Sequence, residues 1–529
     1  MNRCLLFGWV VLALPLLVGC PSASAPSSAA KKKGDDKSAN TLSATQQTAE
    51  DVLSSALHQL QPENLGIDSD LEAAISVLNS WKGLAEKTRP AGLKPPEADW
   101  SKVPAELVAE DVRTRINSTR YDAMDGRHIR GCLLANAIAK KAGAPADSDL
   151  GRATLLFDYT VRNVALQADD EVPLPLTPYE ILIVGRGTPS DRAWIFASLL
   201  KQWQIDALVL RPIANNDPQA WLVGVPLEGQ VYLFDARLGL IVPNPEADAN
   251  SPLFRTPATL GQIQEHPDWL NQLAPADDQP YPLTADDLSD PLIELIAEPQ
   301  YWSERMWLLE QSLPGDSVCL LYDPLAGSPE NPGFLGRIQA VPALNRPKDW
   351  RMWTYPYRQF LGMSQMDQLT TQAMRSAMLA FVVPIEVDPE TNQATPTNRQ
   401  LGNRTDQLLG RLEEATAKYL VIRQLGVRLD PDASINQLNQ LAAEDAFYWT
   451  AICKYEQGQF DGTIETLEGY FKRYRRGKWI AAASQLLALS QVAKNDFAAA
   501  IQTLKSTDSN DPNADTNAVL LKHWSSLAK

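Results

Sequence analysis

Two stretches near the middle of the chain decide the fold class. Residues 187–210 read GTPSDRAWIFASLLKQWQIDALVL, and residues 219–239 read QAWLVGVPLEGQVYLFDARLG. Within the first stretch, Ser190 to Trp203 carries apolar residues at helical spacing, which predicts one buried helix. Runs of β-forming residues joined by turn residues follow, at 205–213, 220–227 and 230–236. A helix that leads into an antiparallel sheet predicts an α+β fold.

The same region resembles the transglutaminase-like superfamily, whose members have a papain-like fold. The resemblance is carried by three segments: Leu199-Leu200-Lys201-Gln202-Trp203-Gln204-Ile205-Asp206-Ala207, Gln219-Ala220-Trp221 and Phe234-Asp235-Ala236. They are similar to the family's Leu-Leu-Arg-x-x-Gly-Ile-x-Ala segment, its His-Ala-Trp strand and its Asp-Pro-Thr strand end. The similar region extends from about Asp149 to Pro245.

The resemblance implies a cysteine, a histidine and an aspartate as catalytic residues, and the chain departs from that pattern at two of them. The cysteine position falls on Pro189 and the histidine position on Gln219, while the aspartate is kept as Asp235. A thiolate nucleophile needs an imidazole to lower its pKa and to carry its proton. Proline has no nucleophile, and glutamine does not exchange a proton near neutral pH. We therefore expect a catalytically inactive domain that needs no cofactor and no metal.

An enzymatic alternative stays open beside this expectation. With a register shift of one residue, Ser190 becomes a candidate nucleophile, and His266 is the histidine within plausible reach as its base. His128 and Cys132 are spaced i, i+4 on another predicted helix, where either an ion pair or an ordinary buried thiol fits. The alternative function is an envelope cysteine- or serine-type peptidase or amidohydrolase. A surface role for His266 and an ordinary thiol at Cys132 are the favoured interpretations.

The first residues predict export and lipidation. Arg3 precedes an apolar run from Leu5 to Val18, which is too short to span a bilayer but suits a signal peptide. The run ends in Leu17-Val18-Gly19-Cys20, which resembles the lipobox of bacterial lipoproteins. The resemblance implies a signal peptide at 1–19, a lipid on Cys20 and a place on the periplasmic side of the cell envelope. Pro21 follows where inner-membrane retention would favour aspartate, so the outer membrane is preferred.

Composition excludes several classes of protein. The formal net charge of −16 argues against nucleic acid as a partner, because phosphate binding needs a basic surface. Cys132, Cys319 and Cys453 are far apart and show no CxxC spacing, so neither a zinc site nor a disulfide framework is indicated. We expect these three cysteines to be small buried residues.

The remaining regions are predicted from periodicity and composition. Residues 20–49, rich in Ser, Ala and Pro, are expected to form a disordered tether. Residues 50–145 form a helical region, 146–275 the transglutaminase-like domain and 276–360 a mixed α/β extension or small domain. Helices are expected at 50–60, 69–85, 127–142, 150–164, 258–273 and 301–313, and a strand at 317–322. Aromatic residues at 350–360 are expected to pack between domains rather than to form a platform for sugar stacking.

The last part of the chain, 361–529, is predicted to be helical and to contain repeats. Phe460 and Phe497 lie 37 residues apart, each in a turn between two amphipathic helices, and the clearest copies cover 444–506. This pattern resembles tetratricopeptide repeats, which implies protein or peptide partners. A plain helical cap is the alternative. An earlier helix pair is expected at 406–424 and 435–443, and a closing helix at 517–527.

Taken together, the sequence predicts a lipid-anchored binding or scaffolding protein of the cell envelope. The partners expected are proteins or peptides, and the membrane through the lipid. The identity of the partner and the oligomeric state stay open at this stage.

Overall fold

The computed structural model of the chain describes residues 44–61, 71–89, 103, 107–212, 222–248, 251–296, 298–328, 331–344, 350–381, 385–387, 394–396, 400–427, 433–508 and 510–528. Residues 45–529 belong to one compact unit. The predicted signal peptide, Cys20 and the Gln219-Ala220-Trp221 segment lie outside the described residues.

Most of the described residues before the sheet are helical. The helices are α1 Ala44–Leu60, α2 Leu71–Thr88, α3 Glu110–Ile116, α4 Ala123–Ala142 and α5 Asp149–Asn163. The four helices predicted here are confirmed, with bounds that differ by a few residues. Because α1 begins at Ala44, residues 44–49 are helical and do not belong to a disordered tether. The central helix α4 begins at a capping box, in which Asp122 and Asp125 each accept the other's backbone N–H, and it is buried along most of its length.

The predicted central helix is present as α7, Pro189–Lys201, and follows α6, Pro178–Val184. Two short parallel strands, β1 Ala165–Leu166 and β2 Arg186–Gly187, lie beside them. The Thr188 hydroxyl accepts the Asp191 N–H, and the Asp191 carboxylate accepts the Thr188 N–H. Proline suits the next position, because the first backbone N–H of a helix has no partner inside the helix. Thr188 is therefore the N-cap of α7.

The main sheet receives strands from two separated parts of the chain. Its strands are β3 Leu208–Arg211, β4 Leu222–Leu227, β5 Gln230–Asp235, β6 Leu240–Ile241, β7 Leu292–Ile296 and β8 Trp350–Trp353, in the order β6-β5-β4-β3-β7-β8. The three predicted runs pair antiparallel through β3, β4 and β5, which confirms the α+β fold class. β7 pairs antiparallel with β3, and β8 pairs parallel with β7. Through β7 and β8, the segment 276–360 thus extends this sheet instead of forming a domain of its own.

Packing of α7 on the sheet creates an aromatic centre. The ring of Phe196 on α7 lies 5.2 Å from that of Phe157 on α5 and 5.1 Å from that of Phe234 on β5, between ring centroids. All three side chains are buried. Aromatic rings at these separations bury a large apolar area, so they fix how α5, α7 and β5 meet.

Short elements connect the sheet to the C-terminal helices. They are α8 Pro245–Asp248, α9 Leu260–Glu265, α10 Ala285–Ser289, α11 Glu304–Glu310, α12 Gly333–Gln339, α13 Tyr355–Ser364 and α14 Gln368–Met378, with a hairpin of β9 Ile385–Val387 and β10 Ala394–Pro396. The helix predicted at 258–273 is instead α9 followed by a 3₁₀ helix at Pro267–Leu273, because Pro267 interrupts the α-helical hydrogen bonds. The helix predicted at 301–313 is shortened to α11.

The strand predicted at 317–322 is wrong. Residues 318–322 pair with no strand of the described chain, because side chains take their backbone donors. Glu310 accepts the N–H groups of Leu321 and Tyr322, at 2.7 and 2.8 Å. Gln202 accepts the N–H of Leu320 at 2.9 Å. A β-rich composition does not form a strand when its donors are already satisfied in this way.

The C-terminal part is helical from Gln400 onwards, as predicted, but the range predicted to be helical, 361–529, also contains the hairpin of β9 and β10. Its helices are α15 Gln400–Leu408, α16 Leu412–Leu425, α17 Ala433–Glu456, α18 Phe460–Arg473, α19 Ile480–Ala493, α20 Phe497–Lys505 and α21 Ala514–Leu527. The closing helix is confirmed by α21. The predicted helix 406–424 is broken at Gly410, whose φ of 75° ends α15, and the segment 435–443 belongs to the long helix α17. The earlier pair is therefore α15 with α16.

Candidate functional site

The start of α7 is where the resemblance placed the nucleophile. Pro189 occupies the first helical position, and Ser190 beside it is buried, with 3 % of its surface exposed. The Asp191 carboxylate accepts hydrogen bonds from Thr188 and from the Tyr355 hydroxyl, the latter at 2.8 Å. Burial raises the pKa of Asp191 to about 6, against the lowering effect of these hydrogen bonds. The helix start is thus a closed polar cap in which Ser190 is not presented to solvent.

Asp235 lies at the end of β5 and is fully buried. One carboxylate oxygen accepts the backbone N–H of Leu238 at 2.7 Å, and the other accepts the Tyr281 hydroxyl at 2.9 Å. The Arg237 guanidinium lies 3.9 Å away. Burial raises the pKa of Asp235, while Arg237 and these hydrogen bonds favour the carboxylate. Both oxygens are therefore engaged by groups other than an imidazole.

The other histidines of the described chain and the remaining predicted site residues are not seen at the start of α7 or at Asp235. His266 is exposed and stacks on Trp269, with 4.8 Å between ring centroids. His523 lies on α21, with its Nε2 2.8 Å from the Ser251 carbonyl oxygen. Among the described contacts, no histidine bonds to Ser190 or Asp235. Gln219 and Cys20 lie outside the described residues.

An open groove with a volume of about 500 Å³ lies against the start of α7. Thr188 and Ser190 form part of its wall, and Tyr355 and Arg358 of α13 face them. The Thr188 and Tyr355 hydroxyl oxygens are 3.3 Å apart, so α13 lies across the helix start. Polar and apolar side chains both line the groove, and its described lining includes neither a histidine nor a cysteine.

A second cluster, at Cys132, contains residues that the sequence interpretation missed. The Cys132 sulfur lies 3.7 Å from Nε2 of His128 and 3.3 Å from the Tyr301 hydroxyl oxygen. Nδ1 of His128 lies 3.3 Å from the Glu298 carboxylate, which also accepts the Trp194 indole N–H. The i, i+4 spacing indicated the Cys–His pair. Glu298 and Tyr301 come from a segment 170 and 169 residues further along the chain, and no local pattern pointed to them.

The protonation states of this cluster argue against a nucleophile. Burial raises the pKa of the Cys132 thiol, so the group stays protonated near neutral pH. Burial alone would lower the pKa of His128, but the Cys132 sulfur, as the thiolate that forms only at high pH, and the Glu298 carboxylate outweigh it and raise the pKa to about 10. Nδ1 faces Glu298, and Nε2 lies 3.3 Å from the Leu321 carbonyl oxygen. Both ring nitrogens thus face acceptors, so the ring is held as an imidazolium that has no free lone pair for the thiol.

The three cysteines expected to be buried thiols are free and buried. Burial raises the pKa of both Cys319 and Cys453 to about 12. Trp350, Trp353, Tyr357 and Phe360 are buried, but they pack inside one compact unit and not between domains as predicted. The described residues contain no cluster of three or more metal-ligating side chains. None of the described helices is both long and apolar enough to cross a membrane.

The helix pairs of the C-terminal part share one turn geometry. In the turns between their two helices, Gly458 and Asn495 both have a left-handed backbone, with φ of 70° and 62°. The residue after each donates its N–H to the carbonyl five residues before it, Gln459 to Lys454 and Asp496 to Gln491, both at 2.9 Å. The α15–α16 turn at Gly410 repeats this bond, from Arg411 to Asp406 at 2.8 Å. Three successive pairs thus turn in the same way.

The closing helix α21 holds these pairs against the sheet. Arg237, two residues after Asp235, donates to the Asp515 carboxylate at 2.6 Å. The Thr516 hydroxyl donates to the Leu238 carbonyl at 2.8 Å, and the Trp524 indole N–H donates to the Pro252 carbonyl at 2.8 Å. The loop that supports Asp235 is therefore fixed by the C-terminal helix.

Comparison with known protein families identifies the C-terminal helices. Residues 445–476 match the tetratricopeptide repeat family. No curated protein and no solved structure matches the chain. The matched segment runs from within α17 to just past α18, so this helix pair is similar to a tetratricopeptide repeat, and such repeats generally mediate contacts between proteins.

Proposed function

We propose that this chain is a lipid-anchored binding or scaffolding protein of the cell envelope, built on a catalytically inactive transglutaminase-like domain. The observation that carries the proposal is the environment of Asp235, whose two carboxylate oxygens are taken by Tyr281 and Leu238. An acid in a catalytic triad would instead orient an imidazole. Pro189 at the other side of the site supplies no nucleophile.

The order and contacts of the elements support the transglutaminase-like part. A buried helix is followed by the antiparallel strands β3, β4 and β5, and Asp235 ends the last of them. Arg192, in the first turn of α7, donates to the Val164 carbonyl at 2.8 Å and to the Ala236 carbonyl at 3.4 Å. The start of the helix and the end of β5 therefore meet, as the positions of a cysteine and an aspartate in one triad require.

The repeats supply the surface for a protein partner. On α16, in the helix pair before the matched repeat, Leu420 and Val421 are 43 % and 58 % exposed, and Val427 just beyond the helix is 64 % exposed. These exposed apolar side chains lie close together in the sequence, and exposed apolar side chains that cluster are typical of interaction surfaces. We assign partner binding to this end of the repeats.

Chemical crosslinking followed by affinity purification of the full-length lipoprotein from envelope extracts tests this assignment. We expect a defined partner to be captured by the wild-type chain and lost with Val421→Glu. Leu369→Glu is the matched control, because Leu369 is 62 % exposed on α14, outside the repeats. Equal capture by both variants would remove the repeat surface from the proposal.

The anchor needs its own experiment. Cys20→Ala is expected to abolish incorporation of labelled palmitate and to release the protein from the membrane fraction. Cys4→Ala, within the predicted signal peptide, is the control and should leave both unchanged. Density-gradient separation of the two membranes tests the preferred outer-membrane position. Labelling that persists in Cys20→Ala would show that the lipid is attached elsewhere.

The arrangement of Cys132, His128 and Glu298 supports a second candidate function, a cysteine-type amidohydrolase. It places a ring nitrogen 3.7 Å from a thiol and a carboxylate on the other side of the ring. We rank it below the binding role, because Cys132 is 4 % and His128 3 % exposed and the thiol is protonated.

A thiol-directed activity probe separates the two functions. The binding role predicts no labelling of the folded protein, and no change with Cys132→Ser or with the control Cys453→Ser. A serine-directed probe should likewise give no signal that depends on Ser190→Ala or Asp235→Asn. Labelling lost only in Cys132→Ser would establish the hydrolase instead.

A further inference from the structure

A deep cleft lies between the α+β part and the repeats, away from the start of α7. Its volume is about 480 Å³, within the range typical of small-molecule sites. Its walls come from α4 and α5, from β6 with the loop at 253–255, and from the helices α17, α19 and α21. The cleft is thus built from both parts of the protein and exists only when the repeats are docked on the sheet.

Most of the lining of this cleft is apolar. Leu155 and Val161 come from α5, Leu240 and Ile241 from β6, and Leu489 from α19. Leu155, Val161, Leu240 and Leu489 are only partly buried in the folded chain, so their apolar surface stays available to an occupant. A molecule with an apolar body would bury this surface and gain the free energy of removing it from water.

The charged lining residues form one connected group. Arg255 lies 3.1 Å from the Asp158 carboxylate, and the Asp158 carboxylate lies 3.9 Å from Nη1 of Arg162. Nε of Arg162 lies 3.7 Å from the Glu456 carboxylate, which is longer than a hydrogen bond. This buried Nε has no hydrogen-bond partner within the described chain. The nearest carboxylates of the chain thus lie 3.7 and 3.9 Å from the Arg162 guanidinium, whose side chain is 26 % exposed, so a ligand oxygen at its exposed side would gain a closer partner.

The sign of the charge favours an anion. Among the described residues that line the cleft, Lys141, Arg162 and Arg255 are positive, against Asp158 and Glu456. This local excess of positive charge occurs in a chain whose formal net charge is −16. A carboxylate fits best, because a guanidinium presents its N–H groups in a plane that matches two carboxylate oxygens.

We propose that the cleft binds an elongated apolar molecule that ends in a carboxylate, the chemistry of a medium-chain fatty acid. The apolar lining holds the body, and Arg162 with Arg255 binds the carboxylate. This goes beyond the proposed protein-binding function, because it assigns a small-molecule ligand to a second place on the same protein. A peptide fits less well: it carries backbone N–H and C=O groups along its whole length, whereas the ion pairs gather four charged residues into a single cluster.

Calorimetric titration of the full chain with dodecanoate tests the proposal, with dodecanol as the uncharged control. We expect saturable binding of dodecanoate and binding of dodecanol that is at least about tenfold weaker, as the loss of one charged hydrogen bond implies. Arg162→Gln should weaken dodecanoate binding by at least about tenfold. Arg375→Gln is the matched control, because Arg375 is exposed on α14 and does not line the cleft.

A second variant guards against misfolding. Leu489→Trp fills the apolar part and leaves the charged group intact, so it should also lose dodecanoate binding while its thermal unfolding stays cooperative. Equal affinities for dodecanoate and dodecanol, or equal affinities of Arg162→Gln and Arg375→Gln, would overturn the proposal. So would cleft-dependent binding of an apolar peptide in place of dodecanoate. Loss of dodecanoate binding in Arg162→Gln with partner capture retained separates this site from the repeat surface.

Discussion

Gly458 and Asn495, 37 residues apart, adopt the same left-handed backbone in equivalent turns of two successive helix pairs. Each turn positions the second helix of its pair by the same N–H to carbonyl bond. A Cβ built on Gly458 would meet no atom within 4 Å, so a substitution there changes only the backbone energy. The turn is therefore a clean place to measure what the left-handed conformation costs.

Gly458→Ala is expected to lower the free energy of unfolding by about 1–2 kcal/mol, since alanine is strained at positive φ. Gly83→Ala is the matched control: Gly83 lies within α2, is exposed, and also has no atom within 4 Å of a built Cβ. It should raise stability by about 0.5–1 kcal/mol, because alanine favours the helix. Denaturant unfolding measures both. Equal effects of the two substitutions would contradict the role of the turn.

His128 should make stability depend on alkaline pH. Its pKa rises from 6.5 to about 10 on folding, because Cys132 and Glu298 outweigh the effect of burial. A raised pKa gives stabilisation that is complete below pH 6.5 and is lost as the pH rises through about 10. The difference in unfolding free energy between wild type and His128→Gln should therefore shrink from pH 6.5 to pH 10. His266→Gln, at an exposed position, is the control for loss of a histidine, and a difference that is constant with pH would contradict the prediction.

The ion pair of Arg305 and Asp125 should be expensive to break. The guanidinium binds both carboxylate oxygens at 2.8 Å, and both side chains are buried. Asp125→Ala leaves a buried charge without its partner, so we expect a loss of about 3–5 kcal/mol of unfolding free energy. Asp149→Ala, which breaks the exposed pair with Arg152, should cost less than about 1 kcal/mol. Similar losses of unfolding free energy in the two variants would show that the buried pair stabilises the fold no more than the exposed pair.

Trp524 should decide whether the C-terminal helix stays docked. Its side chain is fully buried, and its indole N–H donates to Pro252 at 2.8 Å. Trp524→Ala is expected to cost about 3–5 kcal/mol and to expose the segment before α21 to limited proteolysis. Lys522→Ala, on the same helix but 47 % exposed, is the control. Unchanged protease resistance of Trp524→Ala would mean that other contacts hold α21 in place.

Local patterns predicted the local parts of this structure. The apolar spacing around Trp194 and the β-rich runs gave α7 and its three strands, and the recurrence of Phe460 at Phe497 gave the repeat. In contrast, Gly410 ends a helix inside a continuous amphipathic pattern, so the sequence indicated one helix instead of two.

Contacts between distant segments were not predictable in this way. The strand predicted at 317–322 is wrong because the side chains of Glu310 and Gln202 accept its backbone N–H groups. Hydrogen bonds from distant side chains produce no periodic pattern in the sequence, so this could not be predicted. Glu298 and Tyr301 reach His128 and Cys132 across about 170 residues. The contact of Tyr281 with Asp235 was equally unpredictable. Its hydroxyl donates to the Asp235 carboxylate, but no pattern in the sequence near Asp235 indicates this partner.

The contacts of α21 also bear on when the chain can fold. Arg237 and Pro252 find their partners on α21 only 278 and 272 residues later, at Asp515 and Trp524. During synthesis, Asp515 and Trp524 are made long after β5. The loop after β5 therefore stays incompletely packed until α21 has been synthesised. Closing such long loops is slow. The packing around the end of β5 therefore cannot be complete until the last helix of the chain has been made.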